Sequence, residues 1–82
     1  MGKIKLYTRE MCSWCIDAKA YLKQRGLAYE EIDVGLHPAA YAEMQQLSGQ
    51  RYVPTLTLDG KVLANFDVAQ LEDFLKSASP GR

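Results

Sequence analysis

The segment TLTLDGKVL, residues 55–63, places the strongest single constraint on how this chain can fold. Two alternating runs flank Asp59-Gly60, and an Asp-Gly pair is preferred at the centre of a type I′ turn. A two-residue turn of this type joins antiparallel strands. The segment therefore predicts a β-hairpin, so any fold proposed for the chain must contain an antiparallel strand pair.

The first third of the chain predicts a strand pair of the opposite orientation. Residues 3–8 alternate, with Ile4 and Leu6 on one face and two lysines on the other, and so predict a strand. Residues 13–25 carry apolar side chains three and four positions apart, which is typical of a helix. Residues 28–34 predict a second strand. This β-α-β unit requires a parallel pair with a right-handed crossover, so the sheet must be mixed.

Two further helices are predicted, at residues 38–49 and 67–77. Glycines at positions 26 and 49 are placed as C-terminal caps, and Asp67 followed by Gln70 resembles a capping box. The residues that we expect to face the core are Ala40, Met44 and Leu47 in the first of these helices and Val68, Leu71 and Leu75 in the second. The order is βαβαββα, which predicts an α/β fold with a four-stranded mixed sheet flanked by three helices. We expect one domain over residues 1–78 and a flexible C-terminal tail at 79–82.

Composition excludes several classes of function. The 82 residues suit one small domain, and ten basic side chains balance ten acidic ones. A nucleic-acid or anionic-membrane partner would require a basic excess. No apolar run approaches the roughly 20 residues of a membrane span. We expect a cytoplasmic protein whose thiols are kept reduced, and we expect a monomer.

The two cysteines, Cys12 and Cys15, allow three interpretations. A structural disulfide would close almost the shortest loop available, so it would stabilise the fold little. A structural zinc site needs four ligands, and this chain offers one cysteine pair and a single histidine, His37. The residues leave open a metal site shared between two chains or completed by an external thiol.

The third interpretation is a redox-active pair, and the position of the cysteines favours it. Cys12 falls where a strand and short loop give way to a helix, and free N–H groups at a helix start favour a thiolate. Arg9 lies close enough in sequence to add positive charge. Cys15, one turn further on, is expected to be more buried. Cys12 is therefore predicted to attack and Cys15 to resolve the mixed disulfide.

At this point the chain resembles the glutaredoxin family, within the thioredoxin-like fold. The resemblance rests on YTREMCSWC after the first strand, SGQRYVPTLTLDG about forty residues later, and a closing acidic helix. It covers nearly the whole chain. It implies a cis bond before Pro54, facing the cysteines, and Val53 main-chain groups free to pair with a peptide-like substrate.

The resemblance also implies a binding site for glutathione. Arg9 matches a basic residue of the family, Gln50 or Arg51 matches the polar residue that reaches the glycine carboxylate, and the γ-glutamyl group would lie near the start of the last helix. Without the resemblance, the residue types at Arg9, Arg51 and Asp67 are equally compatible with solvated surface charges. The implied glutathione-binding set is Arg9, Trp14, Gln50, Arg51, Tyr52, Val53, Pro54, Asn65, Phe66 and Asp67.

The chain departs from the family pattern in several places. Before the last helix, Ala64 and Asn65 stand where the family usually has two glycines, and Phe66 stands where it usually has a small residue. Asn65 can keep the turn, because asparagine tolerates positive φ. With a phenylalanine at this position, the chain resembles the glutaredoxin-like redoxins that serve ribonucleotide reductase and are reduced by thioredoxin reductase. Ser13 stands where most members have a proline. In some members a serine at this position accompanies a [2Fe–2S] cluster, which is held by two glutathiones and by the first cysteine of each of two chains, the position of Cys12 here.

We therefore predict a glutathione-dependent thiol–disulfide oxidoreductase that uses Cys12 and Cys15. Its partners would be glutathione and proteins that carry disulfides or glutathione adducts. Two alternatives stay open: a thioredoxin-reductase-coupled redoxin that donates electrons to ribonucleotide reductase, and a dimeric [2Fe–2S] carrier. Apart from Cys12 in such a cluster, the sequence predicts no metal ligand.

Overall fold

The computed structural model describes residues 3–78. Within that range the chain follows the predicted order βαβαββα. The elements are β1 Ile4–Thr8, α1 Ser13–Gln24, β2 Tyr29–Asp33, α2 Pro38–Ser48, β3 Thr55–Leu58, β4 Lys61–Ala64 and α3 Val68–Ala78. The flexible tail expected at 79–82 lies outside the described residues.

The four described strands form one mixed sheet in the order β2-β1-β3-β4. β1 pairs in parallel with β2 and antiparallel with β3, and β3 pairs antiparallel with β4. Asp59 and Gly60, between β3 and β4, both have positive φ, at 52° and 80°. These values match the type I′ turn that the sequence predicts. The mixed sheet and its hairpin are therefore confirmed.

The sheet is covered on both faces by separate apolar clusters. Ile4 and Leu6 face the larger cluster, as predicted, together with residues of α1, β3 and α3. Tyr7 points to the opposite face and packs with Val34 and Met44 beneath α2. This second cluster is small, and it accounts for one wrong prediction. Leu47 is 49% exposed, because of the three predicted positions on α2 only Met44 is fully buried against the sheet.

Strand register brings three loops to one end of the sheet. Tyr7 pairs with Thr55, and Thr55 pairs with Ala64. The carboxyl end of β1, the start of β3 and the end of β4 are therefore adjacent. The Asn65 N–H donates to the Pro54 carbonyl at 2.8 Å and extends this alignment by one residue. The loops that follow β1, precede β3 and follow β4 meet there.

The hydroxyl of Tyr7 is the only polar atom that this side chain brings under α2. It donates to Glu43 Oε1 at 3.0 Å. Burial, and then the hydrogen bond and negative charge of Glu43, raise the pKa of Tyr7 to about 12. The folded protein therefore holds this proton more tightly than the unfolded chain, whose tyrosines have a pKa of about 10.

We expect Tyr7→Phe to lower the free energy of unfolding by about 1–2 kcal/mol at pH 8, through loss of the Glu43 hydrogen bond. The contribution of the raised pKa is complete below pH 10 and is lost as the pH rises from 10 towards 12. The gap between wild type and variant should therefore shrink over that range. Urea unfolding at pH 8, 9.5, 10.5 and 11 measures it; parallel pH profiles would contradict the role given to Tyr7.

Candidate functional site

The first turn of α1 holds both cysteines. Cys12 is the N-cap residue, with extended backbone angles (φ −107°, ψ 105°), and its sulfur accepts a hydrogen bond from the Cys15 N–H at 3.1 Å. The Cys12 carbonyl accepts the first helical hydrogen bond, from Ile16. Cys12 therefore occupies the place that a capping serine or aspartate usually takes, where the sulfur faces the positive end of the helix.

The two cysteines are bonded as a disulfide, with Cα atoms 5.2 Å apart. Cys12 is half-buried, whereas Cys15 is 1% exposed. The N–H groups of Ser13 and Trp14 make no hydrogen bond within residues 3–78. The predicted asymmetry is confirmed: one sulfur is accessible beside free N–H donors and the other is covered. Only the accessible sulfur can meet a large substrate first.

Two large apolar side chains stand out from the protein beside Cys12. Met11 is 99% exposed and Trp14 is 48% exposed. Met11 has a φ of 60°, which is unfavourable for a side-chain-bearing residue and turns the chain sharply into α1. The left-handed conformation of Met11 is not predicted by the sequence, because methionine has no preference for positive φ.

Arg9 is exposed, and its side chain lies against α2. Its guanidinium carbon is 5.6 Å from the centroid of the Tyr41 ring on α2. The side chain lines a cleft of about 130 Å³ that also includes Asp33 and Gly35. No hydrogen bond in the described part of the chain joins Arg9 to Cys12. Arg9 is therefore packed against α2 and the loop after β2, and its role beside Cys12 stays a prediction.

The loop before β3 brings Val53 and Pro54 to the same end of the sheet. The Val53-Pro54 bond is cis, as the resemblance implied. Pro54 is buried, and the half-buried Val53 side chain packs against the cluster beneath α2. Among hydrogen bonds within residues 3–78, none uses the N–H or C=O of Val53. These two main-chain groups are therefore free to pair with an extended ligand.

The same loop contains three polar or aromatic residues that the sequence assigned to ligand binding. Gln50 is turned inward: its amide nitrogen lies within hydrogen-bond distance of oxygens of Ser48, Tyr52 and Thr55, and its oxygen accepts from the Tyr52 N–H at 2.7 Å. Arg51 is exposed and forms no ion pair within the described residues. The Tyr52 side chain is 59% exposed.

Beyond β4, Asn65 and Phe66 lead into α3. Asn65 has a φ of 52°, so it keeps the turn as expected without glycine. Phe66 differs from expectation: its side chain is 1% exposed and packs in the larger core cluster, so it is not available to a ligand at the surface. Phe66 shares that cluster with Leu71, in the positions of a hydrophobic staple around the helix start.

Asp67 and Gln70 cap each other at the start of α3. The Asp67 N–H donates to Gln70 Oε1 at 3.0 Å, and the Gln70 N–H donates to Asp67 Oδ1 at 2.9 Å. The predicted capping box is therefore confirmed. It also means that the main-chain N–H of Asp67, expected beside the γ-glutamyl carboxylate, already has an acceptor from within the chain.

Neither a metal centre nor a membrane span is found among residues 3–78. No group of three or more histidine, cysteine or acidic side chains is placed to hold a metal ion. An iron–sulfur cluster at Cys12 would thus need most of its ligands from outside this chain. None of the described helices has the length and apolar character required to cross a membrane.

Comparison with known proteins gives a consistent result. The glutaredoxin family model matches residues 4–63. A glutaredoxin of Neisseria meningitidis is 46% identical over 57 residues, 68% of this chain and 67% of that protein. An uncharacterized glutaredoxin-like 8.6 kDa protein in the rubredoxin operon of Clostridium pasteurianum is 30% identical over 73 residues, 89% of this chain and 97% of that protein.

Solved structures agree on the fold. The thioredoxin-like protein BC3987 superposes with a TM-score of 0.80 at 35% identity, over 87% of this chain and 97% of its own. NrdH-redoxin from Escherichia coli, a glutaredoxin-like protein with a thioredoxin-like activity profile, has a TM-score of 0.76 at 28% identity, over 98% and 99%. A buckwheat glutaredoxin in complex with glutathione has a TM-score of 0.67 at 26% identity, over 77% and 60%.

The unequal burial of the two sulfurs predicts unequal alkylation. In the fully reduced protein at pH 7, we expect iodoacetamide to modify Cys12 roughly 10-fold faster than Cys15, because only the former is both accessible and beside free N–H donors. Peptide mapping by mass spectrometry after short exposures gives both rates. Equal rates, or faster modification of Cys15, would overturn the assignment of the attacking sulfur.

Proposed function

This chain belongs to the glutaredoxin family of thiol–disulfide oxidoreductases, and we propose that it uses glutathione to reduce glutathionylated proteins and protein disulfides. The observation that carries the proposal is the N-cap position of Cys12, whose sulfur accepts a main-chain N–H while Cys15 is buried behind it. We place the reaction in the cytoplasm, where glutathione holds thiols reduced.

The first step is attack by the Cys12 thiolate on a substrate disulfide. For a protein disulfide, a bond forms between Cys12 and one substrate sulfur, and the other substrate sulfur leaves as a thiolate. Free N–H groups at the start of α1 stabilise the attacking thiolate, because the unpaired donors and the helix dipole both favour an anion. The substrate is not yet fully reduced, because its disulfide has been replaced by a mixed disulfide with Cys12.

The second step is attack by Cys15 on the sulfur of Cys12. It releases the reduced substrate and leaves the Cys12–Cys15 disulfide, the form that the structure describes. One glutathione thiolate then attacks the accessible Cys12 sulfur and frees Cys15. A second glutathione attacks the bound glutathione sulfur, which frees Cys12 and yields glutathione disulfide. The two electrons gained by the substrate thus come from two glutathione thiols.

We propose that Arg51 and Asp67 bind the oppositely charged ends of the glutathione zwitterion. The exposed guanidinium of Arg51 is the cation proposed for the glycine carboxylate, and the free main-chain groups of Val53 are proposed to pair with the cysteinyl residue. Asp67, at the start of α3, would take the γ-glutamyl ammonium group. The buckwheat glutaredoxin that forms a complex with glutathione supports this class of ligand.

Serine variants separate the two cysteines. Cys12→Ser should lower turnover by at least about 1000-fold with every disulfide substrate, because no nucleophile remains at the accessible site. Cys15→Ser should keep removal of glutathione from a glutathionylated peptide within about 3-fold but lose reduction of an intramolecular protein disulfide, which needs the resolving attack. Both substrates are followed by NADPH consumption with glutathione reductase; activity in Cys12→Ser would refute the mechanism.

A second candidate function is a redoxin reduced by thioredoxin reductase that supplies ribonucleotide reductase. The capping box favours it, because Gln70 already occupies the Asp67 N–H that a γ-glutamyl carboxylate would approach. The burial of Phe66 fixes that turn against the core. The likeness to NrdH-redoxin, with its thioredoxin-like activity profile, also supports this candidate.

The electron donor can be decided in one coupled assay. With insulin as substrate, we expect NADPH consumption through glutathione and glutathione reductase to exceed consumption through thioredoxin reductase by roughly 10-fold. Equal concentrations of both reductases, and the Cys12→Ser protein as the blank, make the two arms comparable. The reverse order would assign the chain to the second candidate and leave the chemistry of the cysteine pair unchanged.

A further inference from the structure

The side-chain amide of Gln50 lies within hydrogen-bond distance of four polar groups, which belong to Ser48, Tyr52 and Thr55. Its amide nitrogen lies 3.1 Å from Ser48 Oγ, 3.1 Å from the Tyr52 carbonyl and 3.0 Å from Thr55 Oγ1. Its oxygen accepts the Tyr52 N–H at 2.7 Å. Gln50 therefore binds both main-chain polar groups of Tyr52 at once, and its polar atoms are satisfied within the protein.

The loop that Gln50 crosses has little other support. Between the end of α2 and the start of β3, the main chain of residues 50–54 makes one hydrogen bond to other main chain, from Asn65 to Pro54, within the described residues. Thr55 adds a side-chain bond to the Tyr52 carbonyl at 2.8 Å. Ser48 Oγ binds the main chain of Gln50 itself, donating to its carbonyl at 3.0 Å and accepting its N–H at 3.4 Å. At Tyr52, the Gln50 carboxamide is the one group within the described residues that binds both the N–H and the C=O of the main chain.

Val53 directly follows Tyr52, whose main chain is bound by the Gln50 side chain. Its free N–H and C=O lie at the end of the sheet where the loop carrying Cys12 also lies. Because the peptide unit between Tyr52 and Val53 is shared, holding the Tyr52 carbonyl also holds the plane that carries the Val53 N–H. We propose that Gln50 is a positioning residue, which acts on substrates through the main chain of Tyr52 and Val53 and does not contact them.

This proposal rests on the proposed use of Val53 as the main-chain partner of the substrate. It does not depend on whether glutathione or thioredoxin reductase supplies the electrons. A main-chain partner serves every peptide-like disulfide, so loss of the carboxamide should weaken binding of all of them alike. A direct contact between Gln50 and a glutathione carboxylate would instead weaken only substrates that contain glutathione.

The test is single-turnover kinetics of the reduced protein, with no reductase present. Gln50→Met keeps the length of the side chain and removes all four hydrogen bonds. We expect its apparent affinity to fall by about 10-fold both for a glutathionylated peptide and for a disulfide-linked peptide without glutathione. The maximum rate at saturation, and the rate of Cys12 alkylation by iodoacetamide, should stay within about 2-fold.

Three further variants control for a general loss of stability. Gln46→Met makes the same change at an exposed position of α2 and should leave both affinities unchanged. Gln50→Glu keeps an acceptor for the Tyr52 N–H but loses the amide donors, so it should give an intermediate affinity. Thr55→Val removes the hydroxyl that shares the Tyr52 carbonyl, and its effect should be less than additive with that of Gln50→Met.

Three outcomes would overturn the proposal. They are unchanged affinities in Gln50→Met, a loss restricted to the glutathionylated peptide, and a fall in maximum rate that matches the loss of melting temperature. If Gln50→Met does not fold, Gln50→Glu and Thr55→Val decide by the same comparison. If the wild-type protein reacts with neither peptide, the proposed function is wrong. If it binds both peptides with full affinity but is not turned over by glutathione and glutathione reductase, only the proposed electron donor is wrong and the inference on Gln50 stands.

Discussion

The hydrogen bond from the Cys15 N–H to the Cys12 sulfur is the interaction around which the rest of the site is arranged. It makes the accessible sulfur part of the helix start, where two more N–H groups remain free. β1, an inner strand of the sheet, ends only a few residues before this helix start. The sheet order then places the start of β3 directly beside that end. One helix cap and one strand position thus determine which loops a substrate meets.

Local signals made most of the fold predictable from the sequence. The hairpin followed from Asp59-Gly60, because both central residues of a type I′ turn need positive φ. The start of α3 followed from Asp67 and Gln70, because a capping box is complete within four residues. The inequality of the two cysteines also followed, since a helix start defines which one faces free N–H groups. Each of these features is decided by residues that are neighbours in the sequence.

What the sequence did not predict depends on contacts between distant segments. Phe66 was assigned to the ligand, but its ring completes the core between the sheet and α3. Leu47 was assigned to the core, but the cluster beneath α2 is too small to reach it. Gln50 is one of two candidates, with Arg51, for the glycine carboxylate, and the sequence does not predict its contact with Thr55 at the start of β3. For all three residues, the packing of other elements determines where the side chain lies.

Two of the three non-glycine residues with positive φ in the described part of the chain lie at the same end of the sheet as the cysteines. Met11 and Asn65 both have positive φ, and they border Cys12 and the start of α3. For Met11 this conformation costs about 1–3 kcal/mol, whereas asparagine adopts it more readily. The turn at Asn65 is anchored by its own N–H, which donates to the Pro54 carbonyl, and by the following Phe66, which is buried in the core. The rigid part of the molecule therefore maintains the loops in the conformation that leaves Cys12 and the Val53 main chain open to a partner.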